Sequence, residues 1–314
     1  MNRFDAACPL DSRYYLADRE FFNQLSPYVS EAAQVKYMAR VEAGLAATLA
    51  EIGVCSKEAA AEIAGACDEV TPEEVYEEER RIQHNIRALA NCIRRKVSPS
   101  SRTYVHLFAT SADITDTARA VCLKDTTCQV ILPGLIELER KLIDLARAYA
   151  ATPQMGRTHG KHAVPITFGF AIALYVSRLG QRIERIAEST RNLRGKFSGA
   201  VGGYNTLSLH SPADPAGIEA ILMSKMGLQP PEISSQIVQP EYVTDYVYAL
   251  CSCWGVLANL ADDFRHLLRT EIYEIREHIA RDHKSQVVGS STMPHKVNPK
   301  DFENVKSSWK AYMP

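Results

Sequence analysis

The sequence predicts an all-α fold, a bundle of long helices packed along their lengths. Two stretches carry that prediction. From Phe168, the positions Ile172, Tyr175, Leu179, Ile183, Ile186, Thr190, Leu193 and Phe197 recur at steps of three and four. From Val243, the same rhythm runs through Val247, Leu250, Trp254, Leu257, Ala261, Phe264, Leu268, Ile272 and Ile275 to Ile279. Spacing near 3.5, kept over several heptads, gives each helix one apolar stripe and favours packing at shallow angles. A third, less regular stretch covers about Asp113 to Tyr149, with Leu135, Leu138, Leu142 and Leu145 on one face and a kink expected at Pro133-Gly134. Helices of about thirty to forty residues reach about 45–60 Å at 1.5 Å per residue, more than a compact monomer of this size uses. The bundle is therefore expected to be completed by other copies of the chain.

Composition leaves room for that core. The chain has 314 residues, 46% of them apolar, enough for one large domain or two ordinary ones. Lys plus Arg number 36 and Asp plus Glu 37, a net charge of −1. No overall field draws nucleic acid or a membrane surface, so an anionic ligand has to be held by a local cluster. The longest nearly uncharged apolar run, Ala249 to Ala261, is too short for a bilayer span and closes on Asp262-Asp263. Met1-Asn2-Arg3-Phe4-Asp5 does not lead into the apolar region of a secretory signal. The eight cysteines show no Cys-x-x-Cys spacing, and several stand in for small apolar residues within helical patterns. A structural zinc site or disulfide scaffold is not expected, and reduced thiols fit a cytoplasmic protein.

The first thirty residues keep no sustained period and form an irregular lead-in containing Pro9-Leu10-Asp11-Ser12-Arg13-Tyr14. Helical spacing begins near Glu31, runs to Ile52 and ends at Gly53. It resumes over Lys57 to Cys67 and over Pro72 to Val97. Thr71-Pro72-Glu73-Glu74 is a start signal: a capping hydroxyl, a proline where its missing N–H costs nothing, and acids at the positive end of the dipole. Glu77 and Arg81 are spaced for an i,i+4 pair on a solvated face. His84-Asn85 follows, and a lone histidine on a helix is more often structural than functional. Ser98-Pro99-Ser100-Ser101 reads as a linker. Beyond it, Val105-His106 and Thr110-Ser111-Ala112-Asp113 open the first long helix. Hydroxyls at a helix N-terminus offer donors and a positive dipole end to an anion; they serve equally as simple caps.

Gly156-Arg157-Thr158-His159-Gly160-Lys161, bounded by Pro153 and Pro165, reads as a loop between the first two long helices. Gly199-Ala200-Val201-Gly202-Gly203-Tyr204-Asn205 lies in a second loop, and Ser234-Ser235-Gln236 precedes the third helix. No strand precedes these glycines and no Gly-Lys-Ser/Thr follows them, which excludes the Walker and dinucleotide phosphate loops. Last comes Gly289-Ser290-Ser291-Thr292-Met293-Pro294-His295-Lys296-Val297-Asn298-Pro299, which two prolines and a glycine keep from being helical. By composition alone it could be a solvated turn.

This last run resembles the signature loop of the fumarase/aspartase superfamily, and Asp301-Phe302-Glu303-Asn304 after it is similar to the adenylosuccinate lyase branch. The motifs around Arg13, His84, Thr110, His159 and Gly199 resemble the same branch. The resemblance implies the long-helix bundle of that superfamily, shortened at its C-terminal end. It divides the chain into an N-terminal helical domain, 1–111, and a central bundle domain, 112–314, without the family's small helical C-terminal domain. It also implies a homotetramer with shared sites, a nucleotide substrate and C–N bond cleavage with release of fumarate. The substrates would be adenylosuccinate and the succinylated imidazole-carboxamide nucleotide of purine synthesis. Such an elimination needs no redox carrier or metal, so no cofactor is expected.

The family's roles carry over residue by residue. Ser291 is the implied base. Its hydroxyl is far too weak a base unless its alkoxide is stabilised by backbone N–H groups of the turn and by a cation, of which Lys296 is the nearest in sequence. His159 is the implied acid, since imidazole titrates in the working range, and Glu303 the carboxylate that orients it. Thr110, Ser111 and Asn298 would receive a substrate carboxylate, and Arg13 with Tyr14 the phosphate. His84, Asn85, His106 and Gln236 complete the substrate contacts. His295, Arg157 and His162 are assigned to structure alone. Two positions depart from the family pattern: Asn85 replaces an aspartate and Lys161 a glutamine. These keep open a sister lyase acting on another succinyl or amino-acid adduct, and the shortened end keeps open a non-catalytic helical assembly.

Overall fold

The structure is a computed structural model that describes residues 19–210, 214–276, 292–293 and 298–312. Among the described residues it is mostly helical, as the periodicity requires. In order come α1 (Arg19–Val29), α2 (Glu31–Glu51), α3 (Lys57–Glu69), α4 (Pro72–Ile82), α5 (Asn85–Lys96), α6 (Ser111–Thr126) and α7 (Leu132–Ala148). A hairpin of β1 (Pro153–Thr158) and β2 (Lys161–Thr167) follows, then α8 (Phe168–Arg191), α9 (Asn205–His210), α10 (Pro215–Lys225), α11 (Glu241–Leu267) and α12 (Lys300–Tyr312). No described helix is long and apolar enough to cross a membrane. By contacts the chain forms two compact units, Met1–Pro133 with Ala187–Tyr246, and Gly134–Ile186 with Val247–Pro314.

The first unit is organised around α2, which packs against α1, α3, α4, α6 and α10. Val35, Val41, Leu45 and Leu49 of α2 are almost fully buried, together with Ile63, Leu89, Ile93, Ile114 and Leu222 from the helices around it. At these positions each Leu or Ile truncated to Ala is expected to cost about 2–5 kcal/mol. The start signal at Thr71 is a complete capping box with Glu74. Where one helix was expected over 72–97, two are found. Gln83 adopts φ 57 and ends α4, and His84 then caps α5 by accepting the Arg87 N–H on Nδ1 at 3.2 Å. Arg81 pairs with Glu78 at 2.7 Å, one residue from the expected Glu77. Arg95 also reaches Glu78, at 3.2 Å, so the acid that faces two guanidiniums takes the bond. Ahead of Pro133 the irregularity is a π turn, Thr127–Ile131. The proline cannot donate to the preceding turn, and a wider turn before it accommodates the missing bond.

In the second unit, α8 and α11 run antiparallel. Tyr175 donates to Asp263, Arg178 to Asn259 at 2.7 Å and Arg182 to Ser252 at 3.0 Å, pairs that ascend one helix and descend the other. α12 lies antiparallel to α11, its Phe302 edge-on to Phe264 and its Trp309 edge-on to Trp254. Both long patterns end earlier than their spacing suggested. α8 stops at Arg191, and Leu193 and Phe197 are buried from a non-helical segment. α11 stops at Leu267: Tyr273 takes φ 46 and the Glu274 N–H turns back to the Leu267 carbonyl at 3.0 Å. Leu268 and Ile275 then line a cavity of about 470 Å³ with Tyr149, Phe168, Phe264 and Phe302. Apolar spacing reports burial, and burial continues here after the helix has ended.

Candidate functional site

In the first unit the polar residues gather where α6 begins. Thr110 is the N-cap of α6 and Ser111 its first residue, both half-buried. Behind them stands Asp113, 0% exposed, as is its partner Lys196. Oδ2 of Asp113 accepts the Thr110 N–H at 2.9 Å; the carboxylate also takes the Lys196 ammonium, and it accepts the Ser198 and Gly199 N–H groups at 3.3 Å each. Lys196 gives a further bond to the Gly199 carbonyl at 3.1 Å, and the backbone of Lys196 is clamped by Thr117 Oγ1, which accepts its N–H at 3.0 Å. Burying two charges is expensive, and here hydrogen bonds to backbone on both sides compensate. The result fixes the 196–199 segment against the first turn of α6.

That segment in turn holds the next loop. Ser198 Oγ and Ser234 Oγ are 2.6 Å apart, and Asp116 Oδ2 accepts the Val238 N–H at 3.0 Å. Gly202, at φ 77, lies so close to the Ser234 carbonyl that a Cβ would overlap it. Gln236 is exposed on this loop. Glu219 supports the other side, accepting the Phe197 N–H at 2.6 Å and the Tyr204 hydroxyl at 2.5 Å. Burial pushes the Glu219 carboxyl up despite those two bonds. Thr110, Ser111 and Gln236 therefore belong to one tied group of loops within this unit.

His106 and Phe108 precede α6 with φ of 61 and 68. Left-handed backbone at a residue other than glycine costs of order 1–3 kcal/mol and persists only where its surroundings over-determine it. Here Arg94 donates to the Val105 carbonyl at 3.0 Å, Val105 is 1% exposed, and the Phe108 ring lies 5.2 Å from that of His210. His106 Nδ1 lies 2.6 Å from Oε1 of the buried Glu42. His84 and Asn85 are exposed at the start of α5, and Asn85 Oδ1 accepts the Ile86 N–H at 2.7 Å. Asn85 also lines a cleft of about 260 Å³ with Gln34, Thr115 and Arg119.

In the second unit, the segment expected as a plain loop is a hairpin. Thr158 pairs with Lys161, and His159 (φ 55) with Gly160 (φ 72) forms the two-residue turn. Two positive φ values in succession suit the right-handed strand twist of a tight hairpin. His159 and Lys161 are exposed at this tip. Arg157, two residues before His159, donates to Glu274 at 2.5 Å, and Gln154, near the base of the hairpin, donates to the same carboxylate at 3.0 Å. The Arg157 hydrogen bond is the main cause that holds the Glu274 carboxyl below the usual range. Asn298 is half-buried just before α12, and Glu303 is exposed on its first turn. Arg13, Tyr14, Ser291, His295 and Lys296 lie outside the described residues.

Sequence reading passed over Lys196, Glu42 and Glu219. A signal existed: each is a charge set within an apolar helical or core pattern, next to Phe197, Val41 and Ile218 respectively. Among the described residues no group of three or more His, Cys, Asp or Glu is placed to hold a metal ion.

Long antiparallel helices with their polar chemistry drawn into the joining loops define a class of helix-bundle proteins. Residues 13–310 match the family described as Lyase, and the chain belongs to that family. It is 36% identical to the adenylosuccinate lyase of Archaeoglobus fulgidus over 95% of this chain and 63% of that protein. It is 33% identical to the N-acetyl-S-(2-succino)cysteine lyase of Enterococcus italicus, over 88% of this chain and 59% of that one. Among solved structures, the 3-carboxy-cis,cis-muconate lactonizing enzyme from Pseudomonas putida superposes with a TM-score of 0.78 at 27% identity, covering 96% of this chain and 64% of the other. The chain thus spans less than two thirds of the length of these relatives.

Proposed function

We propose that this chain carries out the elimination of fumarate from a succinylated amine, with adenylosuccinate and the succinylated imidazole-carboxamide nucleotide as substrates. The observation that carries the reading is the identity of 36% to an adenylosuccinate lyase, maintained over 95% of the chain. The local chemistry supports it. At the start of α6, Thr110 and Ser111 offer hydroxyls at a positive helix end, an environment for a carboxylate such as the succinyl group presents. His159 is the proposed acid, on a hairpin tip where a proton can be delivered to a departing nitrogen. Ser291 with Lys296 is the proposed base, Glu303 the group that orients the acid, and Asn298, Gln236, His84, Asn85, His106, Arg13 and Tyr14 the proposed substrate contacts. These assignments go with a division into domains 1–111 and 112–314 and with a cytoplasmic homotetramer whose copies share sites.

The test is fumarate release, followed by absorbance, on adding adenylosuccinate to the purified chain and to its Ser291→Ala and His159→Gln variants. Turnover by the parent chain, with kcat lowered by at least about a hundredfold in either variant, is the expected result. Absence of turnover by full-length protein, with ligand binding unaltered in Ser291→Ala, would remove the reading. A second reading is favoured by Lys161, Asn85 and the similarity to an N-acetyl-S-(2-succino)cysteine lyase. It is a sister lyase for another succinyl adduct, and a panel of succinylated amines and thiols separates the two.

A further inference from the structure

We propose that Glu42 is a positioning residue that fixes the tautomer and orientation of the His106 imidazole, leaving Nε2 as the nitrogen offered to the substrate. This rests on the reading that His106 belongs to the substrate site. Glu42 sits in the middle of α2, among Val41, Leu45 and Leu49, and is 1% exposed. A carboxylate is placed there against the strong preference of that helix face for apolar side chains. Its Oε1 lies 2.6 Å from His106 Nδ1, and its Oε2, though buried, has no hydrogen-bond partner among the described residues. Among the described residues, the imidazole is therefore the one group that satisfies this acid directly. Among the described residues, Arg94 on α5 and Cys67 on α3 also interact electrostatically with Glu42.

The chemistry follows from the donor inventory of the two side chains. A carboxylate only accepts, so the ring nitrogen facing it has to carry the proton. Nδ1–H is then committed to Glu42, and Nε2 is left with its lone pair in the neutral ring or its proton in the charged one. The His106 side chain is 15% exposed, so Nε2 is not sealed into the core with its partner. The left-handed backbone at His106 brings the ring to the acid, and the Arg94 bond to Val105 holds that backbone from the other side. An acid that orients a histidine from behind while the other nitrogen works is the logic of orienting carboxylates elsewhere.

The experiment reads the ring directly. Long-range proton–nitrogen correlation spectra of the full chain, with His106 identified by its loss in His106→Gln, are expected to show an Nδ1–H ring. In Glu42→Leu, folded by circular dichroism and melting, that ring is expected to revert to the mixed tautomers of an unheld imidazole, and in Glu42→Gln, which keeps an acceptor oxygen, to retain the Nδ1–H form in part. Turnover of succinylated nucleotide should fall about 10–100-fold in kcat/KM in Glu42→Leu, with partial recovery in Glu42→Gln. An unchanged His106 ring in folded Glu42→Leu overturns the proposal. So does an Nε2–H ring in the parent chain, which decides the matter even if Glu42→Leu does not fold. If no succinylated compound turns over, the substrate reading fails while the ring spectra still judge Glu42.

Discussion

Two regions hold candidate residues in opposite ways. At the start of α6, Thr110 and Ser111 stand on a foundation of buried charge, Asp113 against Lys196, with every bond of that pair spent on tying one loop to one helix end. At the hairpin tip, His159 and Lys161 stand with exposed side chains on a backbone turn, and the anchor is on the strand that leads to it, where Gln154 and Arg157 are held by Glu274. Under the roles proposed for these residues, the contrast separates two tasks. A group that must receive an anion gains from a rigid dipole, which a buried network fixes. A group that must deliver a proton gains from access, which an exposed turn gives.

The comparison can be broken most sharply at Asp113. Asp113→Ala leaves the Lys196 ammonium buried without its counter-charge, and urea unfolding is expected to show a loss of about 3–5 kcal/mol, a large part of a total of about 5–15 kcal/mol. A loss below about 1 kcal/mol would mean that the network is an ornament of the fold and not its foundation.

Two glycines sharpen the same contrast at intermediate cost. Gly202 and Gly160 both have positive φ, 77 and 72, but a Cβ at Gly202 meets the Ser234 carbonyl while a Cβ at Gly160 meets nothing. Gly160→Ala should therefore cost only the backbone preference, about 1–2 kcal/mol. Gly202→Ala should cost more than Gly160→Ala and displace the loop bearing Gln236, which ligand titration detects as weaker binding. Equal costs in thermal melts would remove the distinction between a packed and an open turn.

The smallest effects are in pH dependence, and their signs differ. Glu274 is depressed in the fold by Arg157, with Gln154 and His162 also facing it. Its contribution is present above the unfolded carboxylate value, about 4.3, and is lost as pH falls through the lower folded value. The stability gap between the parent chain and Glu274→Gln should therefore close in acid. Glu219 is raised by burial, so the contribution of its protonated form is complete below the unfolded value and lost as pH rises through the folded one. Parent and Glu219→Gln melts should diverge in the opposite direction, the variant gaining as pH rises. Parallel curves for the two variants would show that both acids sit in equivalent surroundings.

The readable part of the molecule was its local chemistry. The cap at Thr71, the stop at Gly53 and the start of α2 near Glu31 are each set by residues a few positions apart, and all are found where spacing puts them. What spacing could not supply was contact across the chain. Lys196 meets Asp113 from 83 positions away, and Glu42 meets His106 from 64; nothing local marks either pairing. The hairpin was hidden for another reason. Its strands carry Pro153, Gly156 and Pro165, residues that ordinarily break strands, and its turn uses histidine where glycine or asparagine is the usual choice. The termination of α11 at Leu267 was masked because Leu268, Ile272 and Ile275 keep the helical rhythm in a segment that no longer winds.

The hairpin has one more implication. Its strand pairing already contains a slip between Met155 and Arg157, after which Arg157 faces His162 and Thr158 faces Lys161. Since neighbours along a strand alternate sides, adding or removing a single residue in this stretch would invert which of them share a side. Apart from Gly160, whose positive φ favours glycine, the apex should be permissive toward changes of letter, including the lysine at 161, and strict about their number: diversified libraries of fixed length ought to yield soluble protein where those of varied length do not.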